Sequence, residues 1–342
     1  MTTIGSSVYL SRQQSTLFRG IAIIAIVLGH NLILQTLYWD MREYLYLFHL
    51  SLFFTLPFFY DKETVFKRKK ILDLFIRCYV PYILFFTISY LINATVLHNV
   101  ELHIITYLKG VIWVDNHISG VVFLWFLPAY FMCMLLQLLT RKLGPWSNYL
   151  FMICGLLMCI DWNYTWNVLF KQCPLGIMQG VYYFSLATTT RKIMCIAPKI
   201  VILGAIWFGV YTLLYFTTSI SEYSNAWSRY FIDICAFMFF YMLSIYLCKY
   251  PNSGNKVISL FGKYSMGVYL THVYIYVIVL PQFPFTTWGG IADLLVVLIL
   301  SLGIAIVWQK IAFLQQLFLP TSWNDWALIR IRNKYLHKNN PI

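Results

Sequence analysis

Ten apolar stretches follow one another along this chain, at about residues 17–37, 44–60, 74–97, 121–140, 148–161, 166–187, 198–218, 228–249, 258–280 and 290–315. Each approaches the length needed to cross the hydrocarbon core of a bilayer, which takes about 20 apolar residues as a helix. Inside hydrocarbon every backbone N–H and C=O must be paired within the protein, so only helices and closed barrels span it. These runs are longer than the roughly ten residues of a barrel strand, and they are apolar throughout rather than alternating. The expected fold is therefore an all-α integral membrane protein, a bundle of about ten transmembrane helices. Composition agrees: 60% of the 342 residues are hydrophobic and only 11% are charged, against about 25% charged in a soluble domain. Without an internal repeat or a soluble insert, residues 1–342 read as a single membrane-embedded domain. Residues 320–342 form its short, basic tail.

The net charge of +13 is organised by topology. If the N-terminus is cytoplasmic, the inner segments hold 21 of the 25 Lys and Arg residues. Cytoplasmic loops carry such an excess, so both termini are expected in the cytoplasm. The basic residues then attract anionic lipid and do not indicate nucleic acid. The eight cysteines lie mostly in apolar runs and read as small buried thiols. Arg12 and Arg19 precede an apolar run that has no small-residue cleavage site, which favours a retained first helix over a removed signal.

Within the first run, Arg19 and His30 are separated by ten residues, eight of them Ile, Ala, Val or Leu. Eleven steps of helix rise about 16 Å and return within roughly 20° of the starting direction, so both side chains lie on one stripe. Ionisable groups inside a membrane helix are costly and face a protein interior or polar cavity. His30 and His272 are expected about 20 Å from the inner side, with His49 near the outer end of the second run. These imidazoles read either as interhelical hydrogen-bonding groups or as a site. Trp125 reaches a similar level, and Tyr269 shares a helix face with His272 three residues on. At the inner end, Lys69 and Lys70 of the KRKK run at 67–70, with Arg77 beyond it, read either as an ordinary topology signal or as a docking surface for an anionic substrate. No His-x-x-x-His or acidic partner stands at ligand spacing, so no metal site is expected. The outer loop at about 98–120 holds Glu101, His103, Asp115, Asn116 and His117 beside Trp113, and reads either as a solvated connector or as a functional loop.

Four segments, FRGIAIIAIVLGHN, YLFHLSLFFTLPFFY, LWFLPAYF and YSMGVYLTH, taken in order, resemble the acyltransferase 3 family of bacterial membrane acyltransferases. More narrowly, they resemble its fucose acetylase-like sugar O-acetyltransferases. The resemblance implies transfer of an acyl group, usually acetyl, from cytosolic acyl-CoA to a hydroxyl of a surface polysaccharide or its lipid-linked precursor. It further implies a multi-pass protein of the inner membrane, with acetyl-CoA as donor substrate and no tightly bound cofactor. By the same resemblance His30 is the reactive histidine and Arg19 its basic partner. Arg77, Lys69 and Lys70 are expected to bind acyl-CoA, and His49, Trp125, Tyr269 and His272 to contact the acceptor or support the site. Two positions depart from the family pattern: Leu56-Pro57 stands in place of Ser-Gly, and Leu74 stands where the first of two arginines is usual. The residues also admit succinyl transfer, or a transporter or flippase of a polyprenyl-linked glycan.

Overall fold

The computed structural model describes residues 8–60, 68–120, 123–161, 164–171, 173–218, 226–250, 252–323 and 326. Among them the fold is helical, and the one piece of β pairing is an isolated bridge between Leu10 and Tyr60. The helices are α1 (Arg12–Gly29), α2 (Leu32–Leu37), α3 (Trp39–Thr55), α4 (Arg68–Thr95), α5 (Ile104–Trp113), α6 (Asn116–Ser119), α7 (Phe126–Leu143) and α8 (Pro145–Met158). They continue as α9 (Ile177–Ile196), α10 (Ile200–Thr217), α11 (Ala226–Lys249), α12 (Ser253–Lys263), α13 (Ser265–Val279), α14 (Thr287–Lys310) and α15 (Ala312–Phe318).

Four of these are individually long and apolar enough to cross a bilayer: α4, α10, α11 over Ser228–Lys249, and α14. Among the expected spans the first, sixth and ninth are instead interrupted; the sixth is divided by a 3₁₀ turn at Pro174–Gly176 between a π-helical turn at Thr165–Phe170 and α9. The ninth is split between α12 and α13, which meet at 83°. The first is split at His30 and Asn31, where α1 stops and α2 starts. The break at His30 and Asn31 has a local cause. Asn31 caps α2, its side-chain oxygen accepting from the Leu34 N–H at 2.8 Å. The Gln35 amide donates to the Gly29 carbonyl left over at the end of α1. Side chains thus pair backbone groups that a helix end leaves unsatisfied, which lets irregular backbone persist at membrane depth.

Backbone contacts divide the chain into two compact units, one made of Met1–Glu63, Asn148–Trp162 and Tyr183–Ala305, the other of Thr64–Ser147, Asn163–Tyr182 and Ile306–Ile342. In the first unit α1 packs against α3, α11, α12 and α13. Its crossing with α12 is a backbone-to-backbone approach. A Cβ on Gly20 would stand 1.9 Å from the Ile258 carbonyl oxygen, and one on Gly262 would stand 1.8 Å from that of Thr16. Only glycine fits at either place.

In the second unit α4 packs against α5, α6, α7 and α15. The start of the expected tail is seated on α4: the Trp323 N–H donates to Asp73 Oδ1 at 2.9 Å, and Arg77 Nη2 donates to the Thr321 carbonyl at 3.2 Å. Residues 327–342 of the tail, and Lys67 of the KRKK run, lie outside the described residues. All eight cysteines are free thiols. Cys195 is exposed, not buried as its apolar neighbours suggested, because it falls in the last turn of α9.

Candidate functional site

The first unit brings three histidines from three helices into one cluster. The ring centroid of His30 lies 5.1 Å from that of His272 and 6.3 Å from that of His49. His49 and His272 are buried, and His30 is half-buried. Each ring is oriented by its own helix. His30 Nδ1 is 2.8 Å from the Ile26 carbonyl, His49 Nδ1 is 2.6 Å from that of Leu45, and His272 Nδ1 is 2.7 Å from that of Tyr269. A carbonyl only accepts, so in each ring Nδ1 carries the proton, and in the neutral imidazole Nε2 keeps the lone pair. The repeated tautomer gives the cluster basic nitrogens rather than donors.

Several neighbours of this cluster escape a sequence reading. The Tyr46 ring lies tilted against both His49 and His30, with centroids 4.8 and 6.0 Å away. Arg42 lies over the faces of Trp39 and Tyr46, at 4.4 and 5.0 Å, a cation–π arrangement. Arg229 Nη2 donates to the Tyr46 carbonyl, and Tyr276 donates its hydroxyl proton to the Val27 carbonyl at 3.0 Å. Behind the α1–α2 break, the Asn31 amide donates to Asp293 Oδ2 at 3.1 Å and to the Gly290 carbonyl at 3.0 Å. Asn31 and Asp293 are both fully buried. One signal was available: Asp293 is the single acidic residue in the apolar run of α14. Nothing local ties it to Asn31, because the pairing crosses 262 residues.

Arg19 sits on α1 as its spacing to His30 predicts, about 16 Å of helix rise below it. Its Nε donates to the Ser15 carbonyl at 3.4 Å and its Nη2 to Thr16 Oγ1 at 3.3 Å. These use two of the five guanidinium donors. The α1–α12 crossing sets Arg19 in a cleft of about 690 Å³ together with Arg12, Lys256 and Lys263. Gln13, Thr16, Asn252, Asn255 and Ser259 complete its polar lining, and no carboxylate is among the lining residues. Four cations, with no ion pair among the described residues, make an anion-binding surface. Sequence reasoning missed Lys256 and Lys263 as site residues, because they read as ordinary cytoplasmic-end cations until the bend at α12 turned them towards α1.

The remaining expected site residues are placed as follows. Tyr269 is buried on α13, its ring 6.1 Å from that of His272. Arg77, Lys69 and Lys70 stand on the first turns of α4 in the second unit, where Arg77 is exposed and engaged with Thr321. Trp125 belongs to the same unit, immediately before α7. Leu56 and Pro57, which depart from the family pattern, open a 3₁₀ turn over Leu56–Phe59 that ends α3. Among the described residues, no group of three or more His, Cys, Asp or Glu side chains is arranged to hold a metal ion.

The family model Acyl_transf_3, described as an acyltransferase domain, matches residues 13–308. No curated protein and no solved structure matches the chain.

Proposed function

The chain belongs to the acyltransferase 3 family of membrane acyltransferases, and from this premise we propose that it moves an acetyl group from cytosolic acetyl-CoA to a hydroxyl of a surface glycan or its lipid-linked precursor. The observation that carries the reading is one helix stripe with a basic nitrogen at one end and an anion cleft at the other. His30 presents Nε2 beside His49 and His272, and Arg19 stands among Arg12, Lys256 and Lys263.

In this reading the cleft takes the phosphates of the donor from the cytoplasmic side, as Arg and Lys readily do. The pantetheine arm runs up the stripe, so that the thioester reaches His30. The acceptor arrives from the outer side. Nε2 of His30 removes the proton of the acceptor hydroxyl while its oxygen attacks the thioester carbon. The C–S bond then breaks, and the departing sulfur receives that proton to leave as the free thiol. Histidine suits this work because its ordinary pKa lies near neutrality. The Nδ1–H bond to Ile26 holds the ring in the tautomer that can act. The same lone pair also serves the alternative path, in which His30 carries the acetyl briefly. Arg77, Lys69 and Lys70 are the second candidate for the anionic end of the donor.

The test uses membranes containing the full chain, labelled acetyl-CoA and the host's own glycan. His30→Ala is expected to abolish transfer, and Arg19→Ala to raise the donor KM. Transfer that survives both substitutions refutes the site. Label that remains on the protein when acceptor is withheld, and is lost in His30→Ala, identifies the acyl-histidine path.

A further inference from the structure

The second unit holds a cavity of about 700 Å³ that the reaction outlined above does not use. It lies at the end of α4 opposite to Arg77, since α5 is tied to the later turns of α4. Tyr82 donates to the Val111 carbonyl at 2.8 Å, and the Asn93 amide donates to the Ile118 carbonyl at 3.1 Å. Its volume falls within the about 300–1,000 Å³ usual for small-molecule sites.

The lining has a particular chemistry. Two indoles, Trp113 and Trp125, contribute aromatic surface. Around them stand Lys109 and Lys171 as donors, Asp115 as an acceptor, and Thr106 and His117, whose side chains carry both donor and acceptor atoms. Gln179 completes the set: it is 8% exposed, its Nε2 donates to the Phe170 carbonyl at 2.9 Å, and its Oε1 accepts from no described residue. A buried carbonyl left without a donor is destabilising, and a ligand hydroxyl relieves it. Val114, which turns the chain from α5 into this wall, is a β-branched residue at φ 56°, a strained conformation of the kind that clusters at ligand sites.

A lipid acyl chain fits this lining badly, because it would strip water from Lys109, Asp115 and Gln179 without replacing their hydrogen bonds. A bare phosphate would meet the Asp115 carboxylate. A pyranose satisfies all of it, since its C–H faces lie on indole rings and its hydroxyls both donate and accept. We propose that this cavity binds a short saccharide segment of the acceptor, with Trp113 and Trp125 as stacking platforms and Gln179 reading a sugar hydroxyl. The assignment rests on the glycan O-acyltransferase reading given above, and extends it from the reacting centre to acceptor choice.

The experiment uses the full chain in lipid nanodiscs. The probe is a diazirine-bearing oligosaccharide mixture released by partial hydrolysis of the host's surface polysaccharide. After illumination, labelled peptides are mapped by mass spectrometry. Labelling is expected within 104–118 and 164–179, reduced at least tenfold in Gln179→Leu and in Trp113→Ala, and unchanged in His30→Ala. Label concentrated elsewhere in the wild-type protein, or undiminished in both cavity variants, overturns the proposal. Acetyl transfer measured on His30→Ala separates the two readings. Retained transfer there refutes the role given to His30, whatever the labelling pattern, while lost transfer with label outside the cavity refutes only the saccharide site.

Discussion

Replacing Gly20 by alanine adds one methyl group to a helix crossing that has no room for it. The new Cβ would stand 1.9 Å from the Ile258 carbonyl oxygen, whereas separations under 3.0 Å are essentially never adopted, so α1 and α12 must move apart locally by about 1.1 Å. Two effects on stability oppose each other. Overpacking of this kind costs about 1–3 kcal/mol, while alanine gains about 1 kcal/mol over glycine in a helix interior. The net loss is therefore on the order of 0–2 kcal/mol, which a folded membrane protein tolerates. Function is more sensitive. Arg19 adjoins Gly20 and faces Lys256 and Lys263 across this crossing, and a misplacement of about 1 Å can cost on the order of 10²-fold in rate. Gly20→Ala is thus expected to yield protein that is still extracted and folded, with kcat/KM for acetyl-CoA reduced about a hundredfold. The assay is labelled acetyl transfer in membranes at varied donor concentration, with thermal unfolding in detergent followed in parallel. Gly303→Ala is the control, because nothing lies within 4 Å of the added Cβ; both readouts should stay near wild type. Wild-type donor kinetics in Gly20→Ala would refute the claim that this crossing assembles the donor cleft.

Lys256→Gln and Lys263→Gln should each raise the donor KM severalfold with little change in kcat, and the double substitution should flatten the dependence of KM on ionic strength. Asn31→Leu removes the donor to buried Asp293 Oδ2 and the cap on Leu34, so thermal unfolding should report a loss of roughly 1.5–3 kcal/mol, the scale of a hydrogen bond to a charged group. Asp293→Asn keeps the size of the side chain and is expected to lose less. For the topology, a cysteine placed at Leu102, which is 62% exposed, in a cysteine-depleted chain should react with an impermeant thiol reagent in intact cells; reaction only in inverted vesicles would reverse the orientation.

Much of the candidate site was legible because it depends on periodicity. The step from Arg19 to His30 is a property of any α-helix, and so is the shared depth of His30, His49 and His272. The structure then brings those three rings within 6.3 Å of His30. What resisted reading depends on where helices stop. Hydropathy treats 17–37 and 258–280 as continuous spans, yet both break: at the first, the Asn31 and Gln35 side chains pair backbone groups that the helix ends leave over, and at the second, α12 and α13 meet at 83°.

The amino-acid sequence by itself determined the helical class, the residue types of the candidate site and the separation of Arg19 from His30 along α1, since these follow from apolar length and a fixed helical rise. Tertiary structure alone decided the company each end keeps. Lys256 and Lys263 join Arg19 because two glycines let α1 and α12 meet backbone to backbone. Asp293 holds the break beside His30 because packing brings α14 against Asn31. Gln179 meets Trp113 and Trp125 around one cavity because α5 folds back on α4. Such pairings join residues far apart in the chain, and no local pattern of hydropathy or spacing encodes them.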